Sequence, residues 1–508
     1  MKVKNSIYNI FFGILGQVIT ISLGLIIPRM FLLNLGSEAN GLMSSISQIF
    51  IYIGLLEAGI GSVSIQALYK PIANNDKNGI NKIMAATEKY YLKAGFYYLI
   101  CIGLLGIIYP IVIKSKFNKF EVFLVILFTG LSGAINFLFQ GKFKVLLTAE
   151  GKNYVITNIT TVLGVISSLV KVILIYLGFN IVVIQFSYFI LGVLQMIFFE
   201  IYMKKNYKWI NTKVDPDYKA IEQKGSAFIH QISAMIFANT DVLIITIFCG
   251  LKVASVYSLY NLIITYISEF IWSINSGVVF VLGQKYYENR EEYIKLNEVY
   301  DTYYMAITFS IYTIAYILIL PFMNLYTKGV ADINYVDNIL PILFISVQLL
   351  SCARTAANNA INVAGHFKNT KNRSILEAAI NIIVSLICVN IFGVYGVLIG
   401  TIVALLYRVN DIILYSHKHI LFKSPKKTYL RWGINLLLMI SIINTTSKFN
   451  INISTYIEFI YIGMILCAIV LPIFLISSSI FNKECFYIIK DYIKLKFKKR
   501  ILRCNRND

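Results

Sequence analysis

The sequence predicts an all-α, polytopic membrane protein, and three observations carry that prediction. First, 57% of the 508 residues are hydrophobic and only 14% are charged, where a soluble chain of this size needs roughly a quarter charged to cover its surface. Second, the apolar residues fall in runs of roughly eighteen or more, long enough to cross a hydrocarbon core of about 30 Å as helices. Third, lysine and arginine crowd into alternate breaks between those runs, the signature of topology. Closed barrels show ten-residue alternation instead, so the spanning elements are helices.

About fourteen spans follow in order: 7–33, 41–66, 90–113, 120–147, 155–178, 181–203, 226–250, 254–283, 301–327, 335–363, 374–392, 394–416, 429–446 and 455–480. The first is too long for a signal-peptide core and has no small-residue cleavage site after it, so it stays as a helix. With the N-terminus inside, the inside loops and termini hold 35 lysines and arginines. The outside loops hold six: Lys114, Lys116, Lys119, Lys252, Lys328 and Lys448. Both termini are therefore predicted to be cytoplasmic. Outside loops this short leave no room for an extracytoplasmic catalytic domain, which argues against a membrane glycan polymerase or ligase.

The net charge of +21 lies in alternate loops and the tail rather than in a basic domain, so nucleic acid is not the expected partner. The seven cysteines form no paired motif, and no glycine-rich phosphate loop is present. His417 and His419, two apart in an inside loop, do not make a metal site. In Lys483–Arg503, Phe486, Ile489, Ile493, Phe497 and Ile501 recur at helical spacing while Lys490, Lys494 and Lys498 occupy another face. That pattern predicts a basic amphipathic helix lying on anionic inner-leaflet lipids.

The halves repeat at a constant offset of 215 residues. Ala39 and Ala254 sit where a short outside turn enters a long helix, Ala149 and Ala364 open inside loops, and Gly178 and Gly393 make tight turns between helices. Three matches in the same topological places indicate duplication. Each repeat holds six spans, an even number, so the halves share an orientation and form two lobes around a central cavity. The predicted organisation is a six-helix lobe over 1–210, a second over 211–425, two extra helices over 426–480 and the tail over 481–508.

Charges at bilayer depth face a cavity or a partner by default. The candidates are Arg29, Glu57, Lys171, Asp241, Glu269, Arg354, Arg408 and Asp411. Under the offset Arg29 maps one helical turn from Asp241, and Glu57 maps about a turn from Glu269. Arg408 and Asp411 also have the spacing of a structural pair. Glu377, three residues after Ser374 at the predicted start of a helix, has capping-box spacing and reads as structural. Glu121, Lys93 and Glu200 lie near predicted helix ends, within reach of the interface.

The segment Pro28–Gly36 with Gly41 and Leu42, Asp241 leading into Gly250 and Tyr257, and the Asn362–Asn369 stretch followed by Gly393–Gly396 resemble the polysaccharide flippases. These belong to the multidrug/oligosaccharidyl-lipid/polysaccharide exporter superfamily, and the resemblance covers nearly the whole chain. It implies a transporter in a bacterial cell membrane rather than an enzyme. The implied cargo is a polyprenyl-pyrophosphate-linked oligosaccharide, flipped from the inner to the outer leaflet for cell-surface polysaccharide synthesis. Glycan polymerases and glycosyltransferases of the same route are implied partners. Arg29, Lys171, Arg354 and Arg408 are then candidates for the pyrophosphate and glycan, because a guanidinium stays charged and offers phosphate a planar fork. Glu57, Asp241, Glu269 and Asp411 are candidates for charge pairing or for binding a coupling proton or sodium ion; no other cofactor is expected. A lipid-linked peptidoglycan-precursor flippase and an ion-coupled multidrug exporter of the same superfamily remain as alternatives.

Overall fold

The structure is a computed structural model in which residues 21–57, 60–221, 225–449 and 453–491 are described. Among these residues every regular element is a helix, and ten helices are long and apolar enough to cross a membrane. Each of the fourteen predicted spans coincides with a helix or with two helices in tandem. Residues 7–20 of the first span, and the tail beyond residue 491, lie outside the described residues. The chain divides into two compact units, residues 1–259 with 329–333, and residues 260–328 with 334–508.

The first unit begins with α1 (Ile21–Leu35), which turns through Gly36 at φ +83° into α2 (Ser37–Gly54). A 3-10 turn, Leu55–Glu57, ends α2 before α3 (Ile60–Ala73). α4 (Lys77–Val112) starts well before the apolar run, capped by Asp76. This places Lys93, expected near a helix start, on an exposed face well inside the helix. α5 (Lys119–Ile135) opens with a capping box of Asn118 and Glu121, so Glu121 satisfies backbone donors at the interface. A π segment, Asn136–Gln140, joins α5 to α6 (Gly141–Ala149). α7 (Asn153–Tyr176), α8 (Ile181–Asn206) and α9 (Gly225–Cys249) follow, with the first turns of α10 (Leu251–Glu288). Among the described residues two apolar clusters hold the unit together. One surrounds Met84, Tyr91, Tyr98, Phe137 and Phe199, and the other surrounds Ala39, Leu42, Ile46, Val125 and Ile184.

The second unit takes the rest of α10 and α11 (Arg290–Tyr326), α12 (Leu340–Ala353), α13 (Thr355–Val363), α14 (Phe367–Phe392) and α15 (Val394–Ser416). α14 and α15 approach closely because Gly396 and Gly400 carry no side chain. A Cβ at Gly396 would sit 2.2 Å from the Cys388 carbonyl, and one at Gly400 would sit 2.2 Å from the Ser385 hydroxyl. In lipid such close contact supplies the packing that a hydrophobic driving force cannot. The two helices outside the repeat are α16 (Lys426–Thr446) and α17 (Tyr456–Phe481). α17 is strongly apolar yet only 17% of its most apolar window is buried, the pattern of a helix whose solvent is lipid. α16 is fixed by Arg431, whose guanidinium bonds Glu298 at 2.8 Å, Asp301 at 3.1 Å and Asn482 at 2.8 Å. A short helix over 483–491 continues past α17, with Cys485 buried and Phe486 and Tyr487 exposed.

The duplication is visible in the helices themselves. The fourth helix of each repeat is interrupted at equivalent places, by the π segment over 136–140 and by the break at Arg354 between α12 and α13. Residue 354 is the equivalent of residue 139 at the 215 offset. Gly178 and Gly393 both have positive φ, +78° and +56°, a backbone that favours glycine.

Candidate functional site

In the first unit a polar network surrounds Glu57. The 3-10 turn ending α2 turns its carboxylate toward α4 and the π segment. Tyr91 donates to one oxygen at 2.5 Å, and the Asn136 amide donates to the other at 3.2 Å. Lys144 of α6 donates to the Asn136 carbonyl oxygen at 2.6 Å. Asn136 opens the π segment, and such bulges are common at functional sites. Gly141 leaves space for the Tyr91 ring, since a Cβ there would sit 2.2 Å from it.

In the second unit a chain of alternating charges runs across α12, α14 and α15. Arg354, at the α12–α13 break, lies 2.5 Å from one Glu377 oxygen, and Arg408 lies 3.2 Å from the other. Arg408 also pairs with Asp411 at 2.7 Å and donates to the Ser374 hydroxyl at 2.9 Å. Asp411 completes the chain by pairing with Arg373. Three guanidiniums thus share two carboxylates, a surplus of one positive charge. The middle is dry and the ends are not: Arg408 and Glu377 side chains are 5% and 9% exposed, while Arg354 and Arg373 are 22% and 38% exposed. The centre therefore holds the shape, and the two ends present cationic edges.

This geometry corrects the reading of Glu377. α14 begins at Phe367, so Ser374 and Glu377 lie inside the helix rather than at its N-terminus. The Glu377 carboxylate serves Arg354 and Arg408 instead of backbone donors. Arg373 was not singled out in the sequence because it sits at the edge of a basic loop, where topology alone accounts for a positive charge.

The remaining candidates have separate surroundings. Asp241 is buried in α9 and accepts from Tyr257 of α10 at 2.9 Å, which gives a physical reason for the pairing of those two residues in the sequence. Lys171 of α7 lies over the Tyr188 ring of α8, 4.3 Å from its centroid. Arg29 is half-buried on α1, and Glu269 is exposed on α10.

At the other end of the first unit, the loop over 329–333 is tied down onto α2. Asp332 accepts from the Ser37 backbone at 3.0 Å and from its hydroxyl at 2.6 Å, filling the N-terminus of α2 with a carboxylate. Burial pushes the Asp332 pKa up, but these bonds and the nearby Lys252 hold it below the usual aspartate value. Asn40 donates to Ser255 at 2.8 Å. Those two residues are 215 apart, equivalent positions of the repeat in direct contact. Gly41 packs so tightly that a Cβ there would sit 1.8 Å from the Leu251 carbonyl oxygen. Ser37, Ala39, Leu42, Ala254 and Ser255 are fully buried in this packing.

No protein-family model matches the sequence, and no curated protein matches it. Solved structures do. The lipid II flippase MurJ in an inward closed conformation is 16% identical with a TM-score of 0.66, covering 94% of this chain and 100% of that one. An inward-facing multidrug resistance MATE family transporter of the MOP superfamily is 16% identical with a TM-score of 0.59, covering 77% and 95%. These likenesses are of fold: the chain folds like these transporters. A further MOP superfamily transporter, from Pyrococcus furiosus and described for the reversed polarity of its binding pocket, is 17% identical with a TM-score of 0.53, covering 83% and 97%. This chain is accordingly a multi-pass membrane protein with a MATE-like helical fold, and the MurJ likeness extends over nearly all of it.

Proposed function

We propose that this protein is a transporter that flips a polyprenyl-pyrophosphate-linked oligosaccharide from the inner to the outer leaflet of a bacterial cell membrane by alternating access. The observation that carries the reading is the arginine surplus of the Arg354–Glu377–Arg408–Asp411–Arg373 chain. Charge at bilayer depth is costly. The deeper part of the chain is balanced, Arg354 and Arg408 against Glu377 and Asp411, and the surplus is carried by Arg373 at the more exposed end. An unmatched guanidinium suits a cargo that brings its own anion, and a diphosphate meets the guanidinium fork with paired oxygens. An exporter of lipophilic cations needs the opposite surplus. Glu57, held by Tyr91 and Asn136 at a helix break, is the residue we assign to coupling with an ion gradient. Lipid II flipping is a second reading with the same mechanism and a different glycan. It is favoured by the likeness to MurJ, which extends over 94% of this chain.

The test is cargo class. Protein reconstituted in liposomes is given a fluorescent polyprenyl-pyrophosphate oligosaccharide in one series, fluorescent lipid II in a second and a fluorescent lipophilic cation in a third. Glycolipid exchange without cation efflux is the expected result. Cation efflux without glycolipid exchange rejects the flippase reading in favour of multidrug export, and exchange confined to lipid II selects the second reading.

A further inference from the structure

Where α14 begins and α15 ends, four side chains converge on one tyrosine. Tyr415 is buried, 8% exposed. The His366 Nδ1 lies 3.0 Å from its hydroxyl, and the Asn369 amide donates to that hydroxyl at 3.2 Å. Arg373 lies over the ring, 5.0 Å from its centroid, with one edge paired to Asp411. The His419 ring, from the π segment His417–Leu421 that follows α15, lies 4.7 Å from the Tyr415 ring. Asn369 and His419 are exposed, and His366 and Arg373 are partly so. No aspartate or glutamate occurs over 365–376 or over 412–427. Lys371 and Lys418 add two further cations from the same segments.

We infer that this cluster is a docking site for a membrane-anchored diphosphate, the place where cargo first engages the protein at the inner leaflet. The inference rests on the flippase reading and names a residue set for its loading step. Positive-inside topology explains loop lysines, but it does not explain a guanidinium held on two sides. Asp411 fixes one edge of Arg373 and Tyr415 supports its face, so the remaining edge has a set direction. Tyr415 accepts from Asn369 and shares a hydrogen bond with His366 Nδ1; in the tautomer where the hydroxyl donates, the imidazole proton sits on Nε2 and is free for a ligand. The result is a forked cation with imidazole and amide groups beside it, a donor set matched to the many oxygens of a diphosphate. The pairing with Asp411 also connects this cluster to the buried chain that ends at Arg354. A diphosphate at Arg373 and one at Arg354 would then occupy the two open ends of a single charge network. A phospholipid headgroup shares the phosphate chemistry but offers one phosphodiester where the cargo offers two phosphates.

The experiment uses full-length protein in nanodiscs of phosphatidylcholine, with binding of geranylgeranyl diphosphate and of phosphatidylglycerol measured separately. Arg373→Gln is expected to weaken geranylgeranyl diphosphate binding about tenfold or more and to leave phosphatidylglycerol binding unchanged. Tyr415→Phe, which alters no charge, is expected to weaken diphosphate binding about threefold by releasing His366. Unchanged diphosphate binding in Arg373→Gln overturns the inference, and so does an equal loss for both lipids, which would make the cluster a general headgroup contact. Glycolipid exchange in liposomes separates the two readings. If wild type exchanges glycolipid and Arg373→Gln matches it in KM and in diphosphate binding, the docking site fails and the flippase reading stands. If wild type binds the diphosphate through Arg373 but exchanges no glycolipid, the site stands and the flippase reading fails.

Discussion

Replacing Glu377 by glutamine removes one charge from the middle of the second unit and nothing from its shape. Its carboxylate lies 2.5 Å from Arg354 and 3.2 Å from Arg408. Arg354 is a fifth exposed and can draw on water, while Arg408 is 5% exposed and cannot. Breaking a buried pair from one side costs about 3–5 kcal/mol. Arg408 keeps Asp411 and Ser374 as partners, so the lower end, about 3 kcal/mol, is the expected loss. For a unit of this size that lowers Tm by roughly 6–12 °C. The assay is heating in detergent with a thiol-reactive dye, which reports the seven cysteines as they become accessible. Combining Glu377→Gln with Arg354→Gln removes both members of one pair, and the double variant should recover about 1 kcal/mol or more relative to the sum of the singles. A Tm within about 1 °C of wild type for Glu377→Gln, or strict additivity, would refute the network as the element that fixes α12 to α14 and α15.

Three further outcomes are expected. Gly41→Ala places a methyl group 1.8 Å from the Leu251 carbonyl, so it should cost about 1–3 kcal/mol by overpacking and expose a cysteine introduced at Ser255 to an impermeant maleimide. Wild-type Tm with no labelling would contradict this. Glu57→Gln keeps one acceptor oxygen where Tyr91 and Asn136 use two, so it should cost about 1 kcal/mol of stability while stimulation of transport by an imposed ion gradient disappears; an unchanged response to the gradient would remove Glu57 from coupling. The Asp332 contact should persist under mild acid. Its pKa is depressed in the folded state, so its contribution is complete above the ordinary aspartate value of about 3.9 and is lost only as pH falls through the lower folded value. Labelling at position 255 should therefore stay low from pH 7 to about pH 5, and a sharp rise within that range would count against it.

The helices were legible because apolar length is a strong signal, and α7, α8, α15 and α17 coincide closely with their runs. The starts of α4 and α11 were not, since Lys77 and Arg290 open polar extensions that hydropathy cannot distinguish from loop. The same limit hid Glu377: the apolar run suggested a start near Ser374, and the true start at Phe367 turned an apparent cap into the centre of a charge chain. Arg354, Arg408 and Asp411 were visible as charges at depth, and their convergence depends on the close α14–α15 contact at Gly396 and Gly400. The Glu57 network joins residues of four separate segments, a convergence that no spacing in the sequence announces. The Asn40–Ser255 contact joins residues 215 apart, but nothing in the sequence placed those two side chains together.

The most direct test of the central claim is leaflet exchange of a fluorescent polyprenyl-pyrophosphate oligosaccharide in liposomes, comparing wild type with Arg354→Ala. The expected result is exchange by wild type and its loss in a variant that remains folded and inserted. Equal exchange by both proteins would contradict an anion-reading arginine chain, and absence of exchange in folded wild type would contradict the flippase itself.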